Sequence, residues 1–282
     1  MIQKLKKIIL NEGSFFLVTP AILWPFVVFI FPLCCFFVTS FFDCTTGVFS
    51  LKNYYIVNSL GGLIVLRSLV YACLTTFFTL LIGYPVAYYV AFYVRSKEYV
   101  LFFLALPFWT NLIVLVYSWF FLLEREGLVN AFLIKLGIIS EPIQFAYTYG
   151  SVVLLMTYCY LPFMIMPIYT VLHKLNIRLL EASYDLGATY FQTFWRVILP
   201  LSLSGIRTGI ILVLVPAFGE FIIPSLMGGA KQLTVGSLIS YYFIISQDYV
   251  LGSAFTIFSG LILMCVIVAI YYCIHLLVTK KN

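Results

Sequence analysis

The sequence predicts an all-α polytopic membrane protein with six transmembrane helices and both termini on the cytoplasmic side. Three observations carry that prediction. Charged residues make up only 9% of the 282-residue chain and hydrophobic ones 63%, whereas about one quarter of a soluble domain is charged. Apolar stretches recur at the length of roughly 20 residues that a helix needs to cross a bilayer. Basic residues, finally, concentrate in alternate loops. A chain of this composition, with 28 phenylalanines and 21 tyrosines, cannot expose an ordinary polar surface to water.

The first predicted span covers residues 15–42. Its basic leader, MIQKLKKIIL, has the look of a signal peptide, but the apolar run from Phe15 to Phe42 is too long for a signal core. No small-residue cleavage site follows, and PLCC at 32–35 does not suit lipoprotein processing, so the segment reads as an uncleaved span. The second and third spans, 67–94 and 99–123, flank a short basic turn. The fourth is 146–172, the fifth 204–227 and the sixth 249–278. Pro85, Pro107, Pro162, Pro167, Pro216, Gly219 and Pro224 fall inside these spans. Each proline frees a carbonyl that neighbouring helices or a cavity must satisfy. Ordinary kinking and an enclosed, moving path both fit that pattern.

Orientation follows from the cations. With both ends inside, the cytoplasmic face collects Lys4, Lys6, Lys7, Arg95, Lys97, Lys174, Arg178, Arg196, Arg207, Lys280 and Lys281. Lys52, Arg67, Arg125, Lys135 and Lys231 remain outside, where Asp43, Glu124, Glu126, Glu141, Glu220 and Asp248 also lie. Glu12, Glu98, Glu181 and Asp185 are inside. The formal charge of +6 is therefore a topology signal; a nucleic-acid role needs a clustered basic face, which is missing here. Of the seven cysteines (34, 35, 44, 73, 159, 265 and 273), only Cys44 is clearly outside an apolar segment. They read as small buried hydrophobes, not as a disulfide framework. His173 and His275 stand singly, so no metal is expected.

Between spans four and five lies EASYDLGATYFQTFWRVILP, residues 181–200. Asn176 is placed to cap a first short helix and Gly187 to end it. Thr189 and Gln192 have capping-box spacing for a second, which Pro200 is expected to limit. Ala182, Ser183, Gly187 and Ala188 leave a surface that another protein can approach closely, while Phe191, Phe194 and Trp195 need packing partners. Residues 176–200 thus read either as a docking hairpin or as an interfacial helix lying on the membrane.

Here the stretch resembles the EAA loop of ABC-importer permeases: Glu-Ala-Ala, three residues, Gly, nine residues, Ile, one residue, Leu-Pro. Glu181, Ala182, Gly187, Val197, Leu199 and Pro200 stand at that spacing, with Ser183 and Val197 as mild departures. LPFWTN (106–111), YLPFMIMPIY (160–169) and VPAFGEFIIPSLMGGAKQL (215–233) are similar to spermidine/putrescine permeases of the B or H type. Leu115 departs from these, where related permeases often carry arginine. The resemblance implies a type I ABC-importer permease (MetI-like) fold, with residues 1–282 as one transmembrane permease domain in the bacterial inner membrane. It implies coupling to an ATPase dimer through Glu181, Ala182, Asp185, Gly187, Ala188 and Pro200. It also implies a second permease of the C or I type, an external polyamine-binding protein and surrounding membrane lipid as partners. No cofactor is expected in this chain itself: ATP and Mg belong to the ATPase. GGAKQL (228–233) lacks the spacing and hydroxyl of a phosphate-binding loop.

Glu220 is the expected cargo contact. On a straight fifth span it falls about 22 Å from the cytoplasmic start, where an acid costs on the order of 3 kcal/mol and usually faces a path or a partner. Arg207 is thirteen positions earlier, too far along one helix to pair with it. A carboxylate between Pro216 and Pro224 suits a polyamine ammonium; binding freed backbone amides, or the partner permease, would equally explain it. Trp109, Tyr117 and Phe218 are the candidate cation–π contacts along the path, with lipid packing as their alternative role. Permeases for iron, phosphonate or opines share the loop and stay open as alternatives. An ion-coupled secondary transporter would need more intramembrane acids than Glu220, and a membrane enzyme a pair of reactive groups at one depth.

Overall fold

The computed structural model describes residues 19–20, 23–42, 48–229 and 232–279, the side chains of residues 60 and 273–279 apart. Lys4, Lys6, Lys7, Glu12, Asp43, Cys44, Lys231, Lys280, Lys281 and the start of the first predicted span lie outside the described residues, as do the side chains of Cys273 and His275. The described residues are mostly helical, with one isolated antiparallel bridge between Phe42 and Phe49. Two compact units form: residues 1–61 with 241–260, and residues 62–240 with 261–282.

In the first unit, α1 (Leu23–Thr39) contains a π turn, Phe26–Ile30, in which the Phe31 amide reaches back to the Phe26 carbonyl. Its end is fastened by side chains. Thr39 Oγ1 donates to Ser253 Oγ at 3.0 Å, and Asn53 Nδ2 donates to the carbonyls of Ser40 and Phe42. α2 (Lys52–Phe92) starts fifteen residues earlier than the predicted second span, although its membrane-length apolar part begins at Gly61. Gly61 looks like an interruption in sequence; in space it admits the Phe255 ring, against which a Cβ would sit at 2.5 Å.

The second unit is built around α6 (Tyr149–His173), whose apolar window is the most buried of the four membrane-length helices. Leu155, Met156, Met164, Ile165, Ile168 and Leu172 are fully enclosed. α8 (Tyr190–Gly219) packs along α6 through Gly205 and Gly209. Small residues four apart let two helices approach closely where lipid offers no hydrophobic drive.

Among the described residues, four helices are long and apolar enough to cross a membrane, 61–92, 149–173, 190–219 and 249–272, or five if one bent pair counts as a span. The predicted fourth and sixth spans match α6 and the last helix, Tyr149–His173 and Tyr249–Thr279. Of the first span the described residues include α1, its start lying outside them. Two expectations need correction. The third span is not one rod: α3 (Lys97–Trp109) is followed, after a break, by α4 (Leu112–Leu123), and the helical run Leu112–Lys135 that α4 begins is bent by 91° from α3. Thr110 Oγ1 bonds back to the Pro107 carbonyl, and Asn111 turns the chain by accepting the Ile113 and Val114 amides, so a new helix starts inside one apolar run.

The fifth span differs at both ends. Pro200 does not stop the second hairpin helix, which runs without interruption into the membrane as α8. A π turn at Phe194–Ile198 widens the helix so that the Leu199 amide bonds to the Phe194 carbonyl. Pro200, which has no N–H and would clash with a carbonyl four residues back, then falls in the first turn of the α-helical stretch Leu199–Gly219, where both faults are tolerated. At the far end the helix stops at Gly219 instead of 227, and a short helix, α9 (Ile222–Met227), follows after α5 (Leu128–Lys135) and α7 (Ile177–Asp185) earlier in the chain.

Candidate functional site

The hairpin forms by local chemistry. Asn176 Oδ1 accepts the Arg178 amide at 3.1 Å and starts α7. Gly187 ends it in a left-handed conformation, φ +81°, with its amide on the Tyr184 carbonyl and the Leu186 amide on the Ala182 carbonyl. Thr189 and Gln192 then form a reciprocal capping box, at 3.0 and 3.3 Å, that opens α8. Ser183 Oγ and Thr193 Oγ1, 2.8 Å apart, tie the two short helices together.

Between them lies an open groove of about 560 Å³, lined by Leu179, Ala182, Leu186, Gly187, Ala188 and Val197 among others. Glu181 and Asp185 are exposed beside it, and Leu186 is 89% exposed. Phe194 packs edge-on against Tyr84 and Tyr88 of α2, and Tyr84 Oη lies 3.0 Å from Ser202 Oγ of α8. Phe191 and Trp195 were expected to need packing partners as well, yet both stay exposed and touch mainly each other and Phe194. Burial, with Tyr190 and Tyr93 nearby, pushes the Tyr184 phenol above its ordinary value.

Glu220 is not in the middle of a helix. It sits in the break between α8 and α9, half-buried, with its carboxylate engaged on both oxygens. Oε1 accepts the amides of Phe221 (3.1 Å), just before α9, and Ile222 (3.0 Å), its first residue. Oε2 accepts the hydroxyl of Tyr160, on α6, at 2.7 Å. Thr234 Oγ1 donates to the Glu220 backbone carbonyl at 3.0 Å. The segment that follows α9 is held in the same way. Tyr71 of α2 bonds to buried Gln232, and Ser68 Oγ accepts the Val235 amide that opens α10 (Val235–Ile245).

Tyr117 lines a cavity of about 280 Å³ with Val116, Phe120, Tyr147, Ser225, Leu226 and Gly229. Tyr147 and Gly229 both have positive φ, and the Tyr147 amide bonds to the Met227 carbonyl, so the wall is fixed from two sides. Neither of the other two aromatics expected along a path lines this cavity. Phe218 is 4% exposed, packed inside the fold, and Trp109 ends α3, edge-on to Phe102. Glu220 is not among the residues lining the Tyr117 cavity. Tyr160, Gln232, Thr234 and Tyr147 were missed in the sequence. Tyr160 carried a signal, since a tyrosine inside a buried apolar helix needs a partner for its hydroxyl. His173 pairs with Lys97 Nζ at 3.1 Å and stacks on Tyr169.

Residues 79–281 match the family model described as the binding-protein-dependent transport system inner membrane component. The spermidine/putrescine transport system permease protein PotB of Haemophilus influenzae is 42% identical over 235 residues, covering 82% of each chain. The protein of the same name from Escherichia coli is 39% identical over 236 residues, 83% of this chain and 86% of that one. Among solved structures, a bacterial ABC transporter involved in the import of the acidic polysaccharide alginate superposes with a TM-score of 0.75, covering 96% of this chain and 98% of that one at 15% identity, a likeness of fold. This chain is thus a multi-pass transport subunit, and it belongs to the family of binding-protein-dependent transport system inner membrane components.

Proposed function

We propose that this chain is a permease of an ATP-driven polyamine importer, taking spermidine or putrescine across the bacterial inner membrane. The observation that carries the reading is its identity of about 40%, over more than four fifths of its length, to permeases named for that transport. The Tyr117 cavity supports the cargo class chemically: Tyr117, Phe120 and Tyr147 offer aromatic faces to an ammonium stripped of water. The hairpin supports the mode of drive. Its two helices are capped, and its groove is open and flanked by exposed acids, which suits docking on another protein better than lying on lipid.

On this reading residues 176–200 face the cytoplasm and seat in a separate ATPase dimer, which holds the ATP and Mg. Glu181, Ala182, Asp185, Gly187 and Ala188 supply the contact, and Pro200 sits in the stem that carries it inward. A second, different permease completes the path, and an external binding protein delivers the cargo. The test is uptake by the reconstituted assembly with spermidine or putrescine in competition with iron and phosphonate. Polyamines alone are expected to compete, and Glu181→Lys to abolish uptake while the chain stays in the membrane. Normal ATP-driven uptake by that variant, or competition by iron or phosphonate, would refute the reading.

A further inference from the structure

We infer that Glu220 is a positioning residue, whose carboxylate pins the α8–α9 break to α6 and thereby sets one wall of the Tyr117 cavity. Four hydrogen bonds converge on it from three parts of the chain. The carboxylate accepts the amide of Phe221, just before α9, and that of Ile222, the first residue of α9, so it holds the entry to that helix. Tyr160 ties the same group to the most buried helix of the unit, while Thr234 holds its carbonyl from the returning segment. Ser225 and Leu226, on α9, and Gly229 just beyond it are cavity wall residues. Any shift of the break therefore moves the wall directly.

This role differs from cargo binding in what it asks of the side chain. A carboxylate offers about four acceptor positions, and three are already taken by Phe221, Ile222 and Tyr160. Bracing needs an acceptor for the amides and a partner for the Tyr160 hydroxyl. It does not need a net charge. Glutamine meets that requirement, because its carbonyl oxygen accepts the two amides and its NH2 group donates to the Tyr160 oxygen. An ammonium-binding role requires the charge and fails with glutamine.

The test uses the full importer with three variants, Glu220→Gln, Glu220→Ala and Tyr160→Phe, and two readouts. One is uptake against polyamine concentration. The other is thiol labelling of a cysteine placed at Ser225 in a background with the seven native cysteines replaced, which reports the position of α9 without cargo. Glu220→Gln is expected to stay within about threefold of the parent in maximal rate and half-saturation, and Glu220→Ala to lose at least about tenfold in rate. Labelling at 225 should rise in Glu220→Ala and Tyr160→Phe and stay at the parent level in Glu220→Gln. Loss of uptake in Glu220→Gln with unchanged labelling would overturn the inference, since charge and not bracing would then be what matters. If Glu220→Ala does not accumulate, Glu220→Gln and Tyr160→Phe still decide the matter. The parent's failure to take up polyamines would count against the importer reading alone, because the labelling arm needs no cargo.

Discussion

Gly205 and Gly209 both face α6, yet alanine at the two positions should have opposite fates. A Cβ at Gly205 would lie 2.8 Å from the Pro167 carbonyl oxygen and 3.0 Å from the Ile168 Cα, both backbone atoms of a buried helix. One at Gly209 would lie 2.6 Å from Met164 Sδ, with the nearest backbone atom at 3.4 Å. A thioether end swings away through rotamer changes, whereas a helix backbone yields only if α8 shifts by about half an ångström along the whole seam. Overpacking of that kind costs about 1–3 kcal/mol, against a gain of about 1 kcal/mol from replacing glycine inside a helix. Gly209→Ala should therefore be near neutral or slightly stabilising, and Gly205→Ala should lose up to about 2 kcal/mol. The assay is unfolding in mixed micelles against SDS mole fraction, followed by fluorescence of the four tryptophans. Equal midpoints for the two variants, or a lower one for Gly209→Ala, would refute the packing argument.

Two further outcomes follow from the site geometry. Gly187→Ala places a side chain at φ +81°, a strain of about 1–2 kcal/mol, in a turn that is open to solvent. ATP-driven uptake should fall several-fold and proteolysis of the hairpin should quicken, with the SDS midpoint unchanged. For Tyr117, alanine should raise the half-saturating polyamine concentration by about 2- to 30-fold, the worth of one cation–π contact. Tyr117→Phe keeps the ring and should restore the parent value; failure of phenylalanine to do so would assign the contribution to the hydroxyl.

What the sequence revealed was chemistry acting over three or four residues. Asn176 with Arg178, Gly187 with Tyr184, and Thr189 with Gln192 close their bonds within one turn, so the hairpin could be read from the letters in order. The spans at 149–173 and 249–272 were equally legible, because apolar length alone decides them. The break at Thr110–Asn111 was hidden by its own surroundings: the run is apolar on both sides, and only the capping ability of Asn111 marks the turn. Glu220 misled because its depth was counted along a rod that stops one residue before it. Its partner Tyr160 is sixty positions earlier, and no local pattern connects the two.

Pro200 bears on how the hairpin joins the long helix. Had it ended the second hairpin helix, the hairpin groove and the Tyr117 cavity would be joined by a hinge, and on the importer reading a push on the hairpin would be lost in bending. The π turn at Phe194–Ile198 removes that hinge. One helix of 30 residues then runs from Tyr190, beside the groove, to Gly219, next to Glu220, a length of about 45 Å. Rigid secondary elements are one carrier of coupling between distant sites, and on the importer reading α8 is the element that joins these two. Its neighbours limit how it can move. Gly205 and Gly209 keep it against α6, so sliding or rotation along that seam is cheaper than separation. Tyr160, on the same α6, holds the Glu220 carboxylate at the far end. Movement of α8 along α6 would, on the importer reading, load the Tyr160–Glu220 bond, and with it the α9 wall of the cavity. On the importer reading, the ATPase stroke reaches the cargo path through this bond, and Tyr160→Phe should loosen the coupling without disturbing the hairpin.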